Sequence, residues 1–241
     1  MRSTVLLVTA LLTIVMVAPT AAQSTDIDLK ASDGVTLKAT YTSPGRPGPA
    51  MLLIHQCNMD RSSWSDISKE LVDAGIHVLT MDLRGFGDSE GEGMSGGFPK
   101  LLQKSSGDLD MAYAYLVSQT GVDSSRVGVG GASCGAMLTS DLATRQSGIT
   151  TLMLLSGPPG EAAISHIMAT PGLAVFGAAA EDDAVIAGVA ATIKGAVDGS
   201  KNPHSMAKVF PGSEHGLPMF DKNPGFEPEL VSWLKTQLLS N

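Results

Sequence analysis

The sequence predicts an α/β protein, in which a mainly parallel sheet of the eight-stranded type carries helices on both faces. Short apolar runs alternate with helix-like stretches from about residue 50 to the end of the chain. This alternation is typical of parallel strands joined by helical crossovers. No internal repeat or second domain interrupts the pattern, so we expect one domain.

An antiparallel hairpin opens the predicted domain. Residues 27–41 form two extended runs around SDG, and Asp-Gly between such runs is typical of a hairpin turn. The Pro/Gly-rich connector SPGRPGP follows it. The remaining predicted elements are, in order, strand AMLLIH, a helix near 63–74, strand HVLTMD, a helix near 107–118, strand RVGVGG, a helix near 136–146, strands TTLMLLSG and GLAVFG, a helix near 183–196, strand SMAKVF and a helix near 228–239.

The first 22 residues have the composition of an export signal. Arg2 precedes the apolar run VLLVTALLTIVMVA, and small residues follow it up to a cleavage site after Ala22. The run is shorter than the roughly 20 apolar residues of a membrane-spanning helix. We therefore expect residues 1–22 to be a cleaved signal peptide and residues 23–241 to be the domain, secreted or periplasmic and without stable membrane anchoring.

Charge and cysteine content narrow the possible partners. Sixteen Lys and Arg stand against 24 Asp and Glu, a net charge of −8, and the basic residues form no cluster. Nucleic acid is therefore an unfavourable partner.

The two cysteines allow one disulfide or none, and the chain has neither a Cys-x-x-Cys pair nor clustered histidines. We expect no metal and no cofactor.

A nucleophile is predicted where RVGVGG ends. In α/β sheets ligands bind at the carboxyl ends of the strands, and there residues 131–135 read G-A-S-C-G, a G-x-S-x-G between a strand and a helix. A sharp turn of this kind leaves no room for large neighbours, so glycines flank its central residue. The spacing selects Ser133, because a central Cys134 would be flanked by Ala132 and Ala136. A glycine-rich turn without chemistry is the alternative.

A serine nucleophile needs a base and an acid, and the order Ser, acid, His places both further along the chain. His215 follows the last apolar run, in the Gly-rich loop FPGSEHG. Three acids follow the strand in LAVFGAAAEDDAVI, and Asp183 is preferred because it directly precedes the apolar start of the next helix. Asp182 is the second choice and Glu181 the third.

Backbone amides are expected to stabilise the oxyanion that forms in acyl transfer. Cys134 follows the nucleophile and opens a helix, so its N–H is one predicted donor. The second is the N–H of Gln56, in the loop after AMLLIH. Cys134 is thus expected to contribute its backbone and not its sulfur.

Together these residues resemble the α/β-hydrolase superfamily, and the resemblance covers nearly all of residues 23–241. The segment LLIHQCNMDRSSWSDISKELVDAGIHVLTMDLRGFGDSEG is similar to the family's stretch from the oxyanion strand to a D-x-R-G-x-G-x-S turn, which residues 82–89 match. The resemblance implies the α/β-hydrolase fold. It also implies that Asp82 and Arg84 hold this turn by hydrogen bonds and are not catalytic.

Two features depart from the family pattern. Where the family usually has His-Gly, this chain has His55-Gln56-Cys57, and the resemblance implies a structural role for His55. Only PPGEAAISHIMATPG joins two strands where many members insert a helical lid. A lidless, open site is similar to those of dienelactone hydrolases and small bacterial carboxylesterases, although dienelactone hydrolases place cysteine, not serine, at the elbow.

The resemblance also brings the oxyanion loop and the elbow together around one anion site. Cys57 and Cys134 would then lie close enough for a disulfide that locks both donors in place. Disulfide geometry is demanding, so the bond stays a hypothesis at this point.

The leading functional interpretation is an exported serine hydrolase that cleaves carboxylic esters, with short-chain esters favoured, through an acyl-enzyme on a Ser-His-Asp triad. Its partner would be a small-molecule ester. The alternatives are a non-catalytic binding module on the same scaffold, a peptidase-like or lactonase-like hydrolase, and hydrolysis through the Cys134 thiol.

Overall fold

The structure is a computed structural model that describes residues 21–240. The predicted signal peptide, apart from its last two residues, lies outside the described residues. The strands of the described chain are β1 (Gln23–Lys30), β2 (Thr36–Ser43), β3 (Gly48–Ile54), β4 (His77–Met81), β5 (Val122–Ala132), β6 (Ile149–Leu155), β7 (Ala174–Ala180) and β8 (Met206–Phe210). Its α-helices are α1 (Ser65–Ala74), α2 (Phe98–Val117), α3 (Cys134–Ala143), α4 (Glu161–Ala169), α5 (Val189–Asp198), α6 (Pro218–Lys222) and α7 (Phe226–Leu239).

The described strands form one eight-stranded sheet in the order β1-β2-β4-β3-β5-β6-β7-β8. The β1–β2 hairpin and the β2–β4 pair are antiparallel, and every other pair is parallel. Because parallel strands end at the same edge, the loops after β3, β5, β6, β7 and β8 meet there. The predicted fold class is confirmed.

Helices cover both faces of the sheet. The parallel strands are apolar on both sides, so each face has to be shielded from water. On one face, α1 and α7 enclose a core with the β3 side chains Met51 and Leu53. On the other face, α2, α3 and α5 pack over Leu52 and Ile54 of the same strand. Alternate side chains of a strand point to opposite faces, so β3 contributes to both cores. None of the helices between residues 21 and 240 is long and apolar enough to cross a membrane.

Four helices differ from the sequence prediction, and one of them, α4, lies in the connection PPGEAAISHIMATPG, for which no helix was predicted. Helix α2 begins at Phe98, well before residue 107, and Pro99 occupies its first turn, where a missing N–H costs nothing. Helix α5 begins only at Val189, because the Asp183 carboxylate accepts from backbone N–H groups that follow it and holds a turn there. The short helix α6 lies in the Pro/Gly-rich segment after residue 216, for which no element was predicted.

The turn after β4 is held by two buried ionic side chains. The Asp82 carboxylate accepts from the backbone N–H groups of Arg61 (2.6 Å) and Asp88 (3.0 Å) and pairs with the Arg61 guanidinium. Arg84 donates two hydrogen bonds, each 2.7 Å long, to Asp108 on α2. These bonds raise the pKa of Arg84 above its ordinary value. Both residues thus hold the turn in the way that the resemblance implied.

Candidate active site

Ser133 lies on the sharp turn between β5 and α3. Its φ of 53° and ψ of −121° place a non-glycine residue in a strained backbone region. The N–H of Ser133 donates to the Leu155 carbonyl at 2.7 Å, which fixes the turn against the neighbouring strand β6. The side chain is half-buried at the carboxyl edge of the sheet.

The glycines on either side of Ser133 are required by the crowding of backbone around it. A Cβ on Gly131 would lie 2.5 Å from the carbonyl carbon of Gly135 and 2.7 Å from the oxygen of Ile54. A Cβ on Gly135 would lie 2.3 Å from the same Ile54 oxygen. Real Cβ atoms do not approach so closely, so the pentapeptide spacing follows from packing against β3.

His215 and Asp183 complete a hydrogen-bonded chain that starts at Ser133. The His215 Nε2 lies 2.7 Å from the Ser133 Oγ, and the His215 Nδ1 lies 2.8 Å and 2.9 Å from the two Asp183 carboxylate oxygens. The imidazole is 11% exposed and the carboxylate 1%. Loops after three different strands, β5, β7 and β8, therefore bring an alcohol, an imidazole and a carboxylate into one line.

The environment of Asp183 keeps its carboxylate ionised. Burial disfavours the charged form, but the N–H of Ile186, the His215 imidazole and the N–H of Val185 all donate to the carboxylate and outweigh that effect. Its pKa therefore lies below the ordinary value. Asp182 and Glu181 are exposed, so Asp183 is the acid that the structure places against the imidazole.

The two predicted oxyanion donors lie at the same corner of the site. Cys134 is the first residue of α3, where backbone N–H groups have no partner within the helix. The loop that carries Gln56 packs against this helix start, since a Cβ on Gly135 would be 2.6 Å from the His55 oxygen. The structure thus brings Gln56 and Cys134 together beside Ser133.

His55 is fully buried and has a hydrogen-bonding role on each ring nitrogen. Its Nε2 accepts from the Leu83 N–H at 2.9 Å, so its Nδ1 carries the proton and donates to the Gln56 carbonyl at 2.8 Å. Burial lowers the pKa of His55 and favours this neutral form. The His55 side chain orients the loop of Gln56 and is not part of the hydrogen-bonded series formed by Ser133, His215 and Asp183.

A disulfide joins Cys57 to Cys134 across 77 residues of sequence. The two Cα atoms are 5.9 Å apart, which is an ordinary separation for this bond. It connects the residue after Gln56 to the residue after Ser133. In this oxidised form the Cys134 sulfur is not a thiolate, and the thiol-based alternative requires a reduced protein.

Loss of this disulfide is expected to destabilise the fold. Because the bond closes a long loop of the unfolded chain, Cys57→Ala should lower the free energy of unfolding by about 2–4 kcal/mol in denaturant titrations. A dithiol reductant should produce a similar loss in the wild type and no further loss in the variant. Equal stability of the reduced and oxidised wild type would contradict a bonded pair.

Ser156 is a member of the site to which the sequence assigned no role. It follows β6, is fully buried, and has a φ of 49°, which makes it the second strained non-glycine residue of the described chain. Its Oγ lies 3.9 Å from Met219 Sδ, and the hydroxyl also helps to lower the pKa of Asp183. The position after a strand was visible in TTLMLLSG, but its contact with an acid from another strand was not.

The donors needed for a metal site are not assembled here. Among the residues that the structure describes, no group of three or more His, Cys, Asp or Glu side chains is placed to hold a metal ion.

A family model described as serine aminopeptidase, S33 matches residues 45–182, which is more than half of the chain. The match includes Ser133 and ends just before Asp183. Two curated proteins from strains of Mycobacterium tuberculosis, both described as uncharacterized, are 29% identical over 123 residues, which cover 50% of this chain and 41% of each relative. The chain thus spans less than half the length of the curated relatives it matches.

Solved structures with the same architecture include esterases and a peptidase. An esterase of Pyrococcus furiosus has a TM-score of 0.71 at 16% identity and covers 89% of this chain and 93% of its own. A cold-adapted esterase from an Arctic intertidal metagenomic library has a TM-score of 0.65 at 19% identity, with coverages of 91% and 95%. A prolyl endopeptidase has a TM-score of 0.67 at 18% identity and covers 91% of this chain but 39% of its own. At these identities the likeness shows the fold alone.

Proposed function

We propose that this chain, which belongs to the serine aminopeptidase S33 family of α/β hydrolases, hydrolyses short-chain carboxylic esters through an acyl-enzyme on Ser133. One observation carries the proposal: the unbroken hydrogen-bonded chain from Ser133 through His215 to Asp183. A half-buried serine hydroxyl in contact with an imidazole that is itself oriented by an ionised carboxylate is the arrangement that activates serine for acyl transfer.

In the first half of the reaction, Ser133 Oγ attacks the ester carbonyl carbon while His215 Nε2 takes the hydroxyl proton. Asp183 holds the His215 Nδ1 proton, which keeps Nε2 free to accept and stabilises the imidazolium that forms. When the tetrahedral intermediate collapses, the bond between carbonyl carbon and alkoxy oxygen breaks. His215 returns its proton to that oxygen, so the alcohol leaves neutral and Ser133 is acylated.

In the second half, a water molecule attacks the acyl carbon and His215 takes one of its protons. The intermediate then releases the carboxylic acid, and the proton returns to Ser133 Oγ. In both halves the carbonyl oxygen gains negative charge. We assign the N–H groups of Gln56 and Cys134 as the hydrogen-bond donors to that oxygen. Each preorganised amide of this kind contributes roughly 10²–10³-fold to the rate.

The open surroundings of Ser133 support a small substrate. Residues 156–173 connect β6 to β7 and carry only the short helix α4, so this connection contributes no large lid within the described chain. Because no large lid from this connection would enclose a long acyl group, each added methylene would gain little burial. The esterases among the similar structures support an ester as the substrate of this chain. The description of the family supports an aminoacyl substrate, so a peptidase is the second candidate function.

Export is the second part of the proposal. It is supported by the apolar run after Arg2 and by the disulfide between Cys57 and Cys134. Disulfides persist in the periplasm and outside the cell and are rare in the reducing cytosol. We therefore place the active form in the periplasm or in the medium.

A substrate series tests the proposed reaction. We expect kcat/KM for p-nitrophenyl esters to be highest for acetate or butyrate and to fall through octanoate to palmitate, with much slower cleavage of aminoacyl p-nitroanilides. Cleavage of the anilides without cleavage of the esters would assign a peptidase. Folded protein that turns over neither class would favour the binding module.

A further inference from the structure

The side chain of Gln56 joins two loops that belong to different parts of the proposed machinery. It is 3% exposed, and its Oε1 accepts from the backbone N–H of Leu217 at 3.0 Å across 161 residues of sequence. Its Nε2 donates to Asn58 Oδ1 at 2.7 Å within its own loop. The amide thus spans from the loop after β3 to the loop after β8.

The amide also fills the space beside the backbone that directly follows His215. Gly216 has a φ of 71°, and a Cβ built there would lie 2.2 Å from Gln56 Oε1. His215 is therefore followed at once by a residue packed against the amide and then by a residue hydrogen-bonded to it. Movement of this backbone would carry the imidazole with it.

A glycine at position 56, as the family pattern has it, supplies no side chain for this contact. The difference matters because the loop after β8 is exposed just before the imidazole, at Pro211, Gly212 and Ser213. The Leu217 N–H, two residues after His215, hydrogen-bonds to the Gln56 side chain in another loop of the site.

We infer that Gln56 is a positioning residue, whose side-chain amide clamps the loop of His215 to the loop that carries the oxyanion donor. The inference rests on the proposed function of Ser133. The clamp acts through the backbone of Gly216 and Leu217 and sets the 2.7 Å contact between His215 Nε2 and Ser133 Oγ. Its role is separate from that of the Gln56 N–H, which every substitution except proline retains.

The first test is Gln56→Ala, assayed on p-nitrophenyl butyrate. A displacement of about 1 Å in a catalytic group costs on the order of 10²-fold, so we expect kcat to fall about 10- to 100-fold. KM should stay within about twofold, because substrate binding is not altered. Gln56→Glu keeps an oxygen that accepts from Leu217 N–H but cannot donate to Asn58 Oδ1, so it should recover part of the loss.

Gln146→Ala is the matched control, since it deletes a half-buried amide that donates to Asp110 at 2.9 Å and lies after the end of α3. It should leave kcat unchanged.

A double-mutant comparison adds a second readout. Gly216→Ala should reduce kcat more in the wild type than in the Gln56→Ala background, where the space of the amide is empty. Circular dichroism and melting temperature confirm that each variant is folded.

The outcomes separate this inference from the function on which it rests. An active wild type with equal kcat in folded Gln56→Ala, or with additive effects of the two substitutions, would overturn the clamp and leave the proposed function standing. A loss that appears only in KM would also overturn it. An inactive, folded wild type would overturn the proposed function and this inference together.

Discussion

Ser133→Ala should lower kcat for p-nitrophenyl butyrate by about 10⁴-fold or more, because it removes the atom that forms the acyl-enzyme. The fold should survive, since the side chain is only half-buried and its hydrogen bond goes to His215, another residue of the site. Steady-state kinetics with an active-site titration, to exclude wild-type contamination, measure the loss.

Ser133→Gly provides a matched variant. It should be as inactive as Ser133→Ala but more stable than it, by about 1 kcal/mol, because glycine adopts a φ of 53° without strain. Thermal unfolding of the two variants checks this difference. Activity retained in either variant would contradict the assignment of Ser133 as the nucleophile and direct attention to another residue of the site.

Asp183→Asn should lower kcat by about 10³- to 10⁴-fold while KM changes little. The asparagine amide has nearly the same shape, but it can donate to His215 Nδ1 and so favour the tautomer whose Nε2 carries the proton. That imidazole cannot accept the proton of Ser133. The loss of a negative charge beside the imidazolium adds to the effect.

Asp182→Asn is the control for that prediction, because Asp182 is the neighbouring acid in the sequence but is exposed. Its kcat should stay close to that of the wild type. If Asp182→Asn lost as much activity as Asp183→Asn, the active conformation would have to use a different acid from the one now in contact with His215.

The sequence was sufficient for the order of the strands and for the fold class. Alternation of apolar runs and helical stretches reflects burial, which depends on local pattern and is visible in one chain. Boundaries were harder to predict. Helix α2 begins at Phe98 within a stretch whose Gly and Pro residues resemble a loop, and Pro99 is compatible with a helix only in its first turn.

Residues of the site were predictable where a local turn dictates them. Ser133 could be recognised because Gly131 and Gly135 are required by backbone crowding within the same turn. His215 and Asp183 were chosen from chain order, and a single sequence could not separate Asp183 from Asp182 except by its place before the next helix. The structure separates them by the 2.8 Å and 2.9 Å contacts with His215.

The contacts of the Gln56 and Ser156 side chains with distant loops could not be predicted from the sequence. The Gln56 amide meets Leu217 only because β3 and β8 end at one edge of the sheet, and Ser156 meets Asp183 for the same reason. Side-chain rotamers decide such contacts, and local pattern does not encode them.

The most direct measurement treats the folded, oxidised protein with a fluorophosphonate probe and maps the adduct by peptide mass spectrometry. The probe reacts with a serine only when a neighbouring base activates it. We predict a single adduct on Ser133, absent from Ser133→Ala and strongly slowed in Asp183→Asn. No adduct on folded protein, or an adduct on a different residue, would contradict the proposal that Ser133 is the nucleophile.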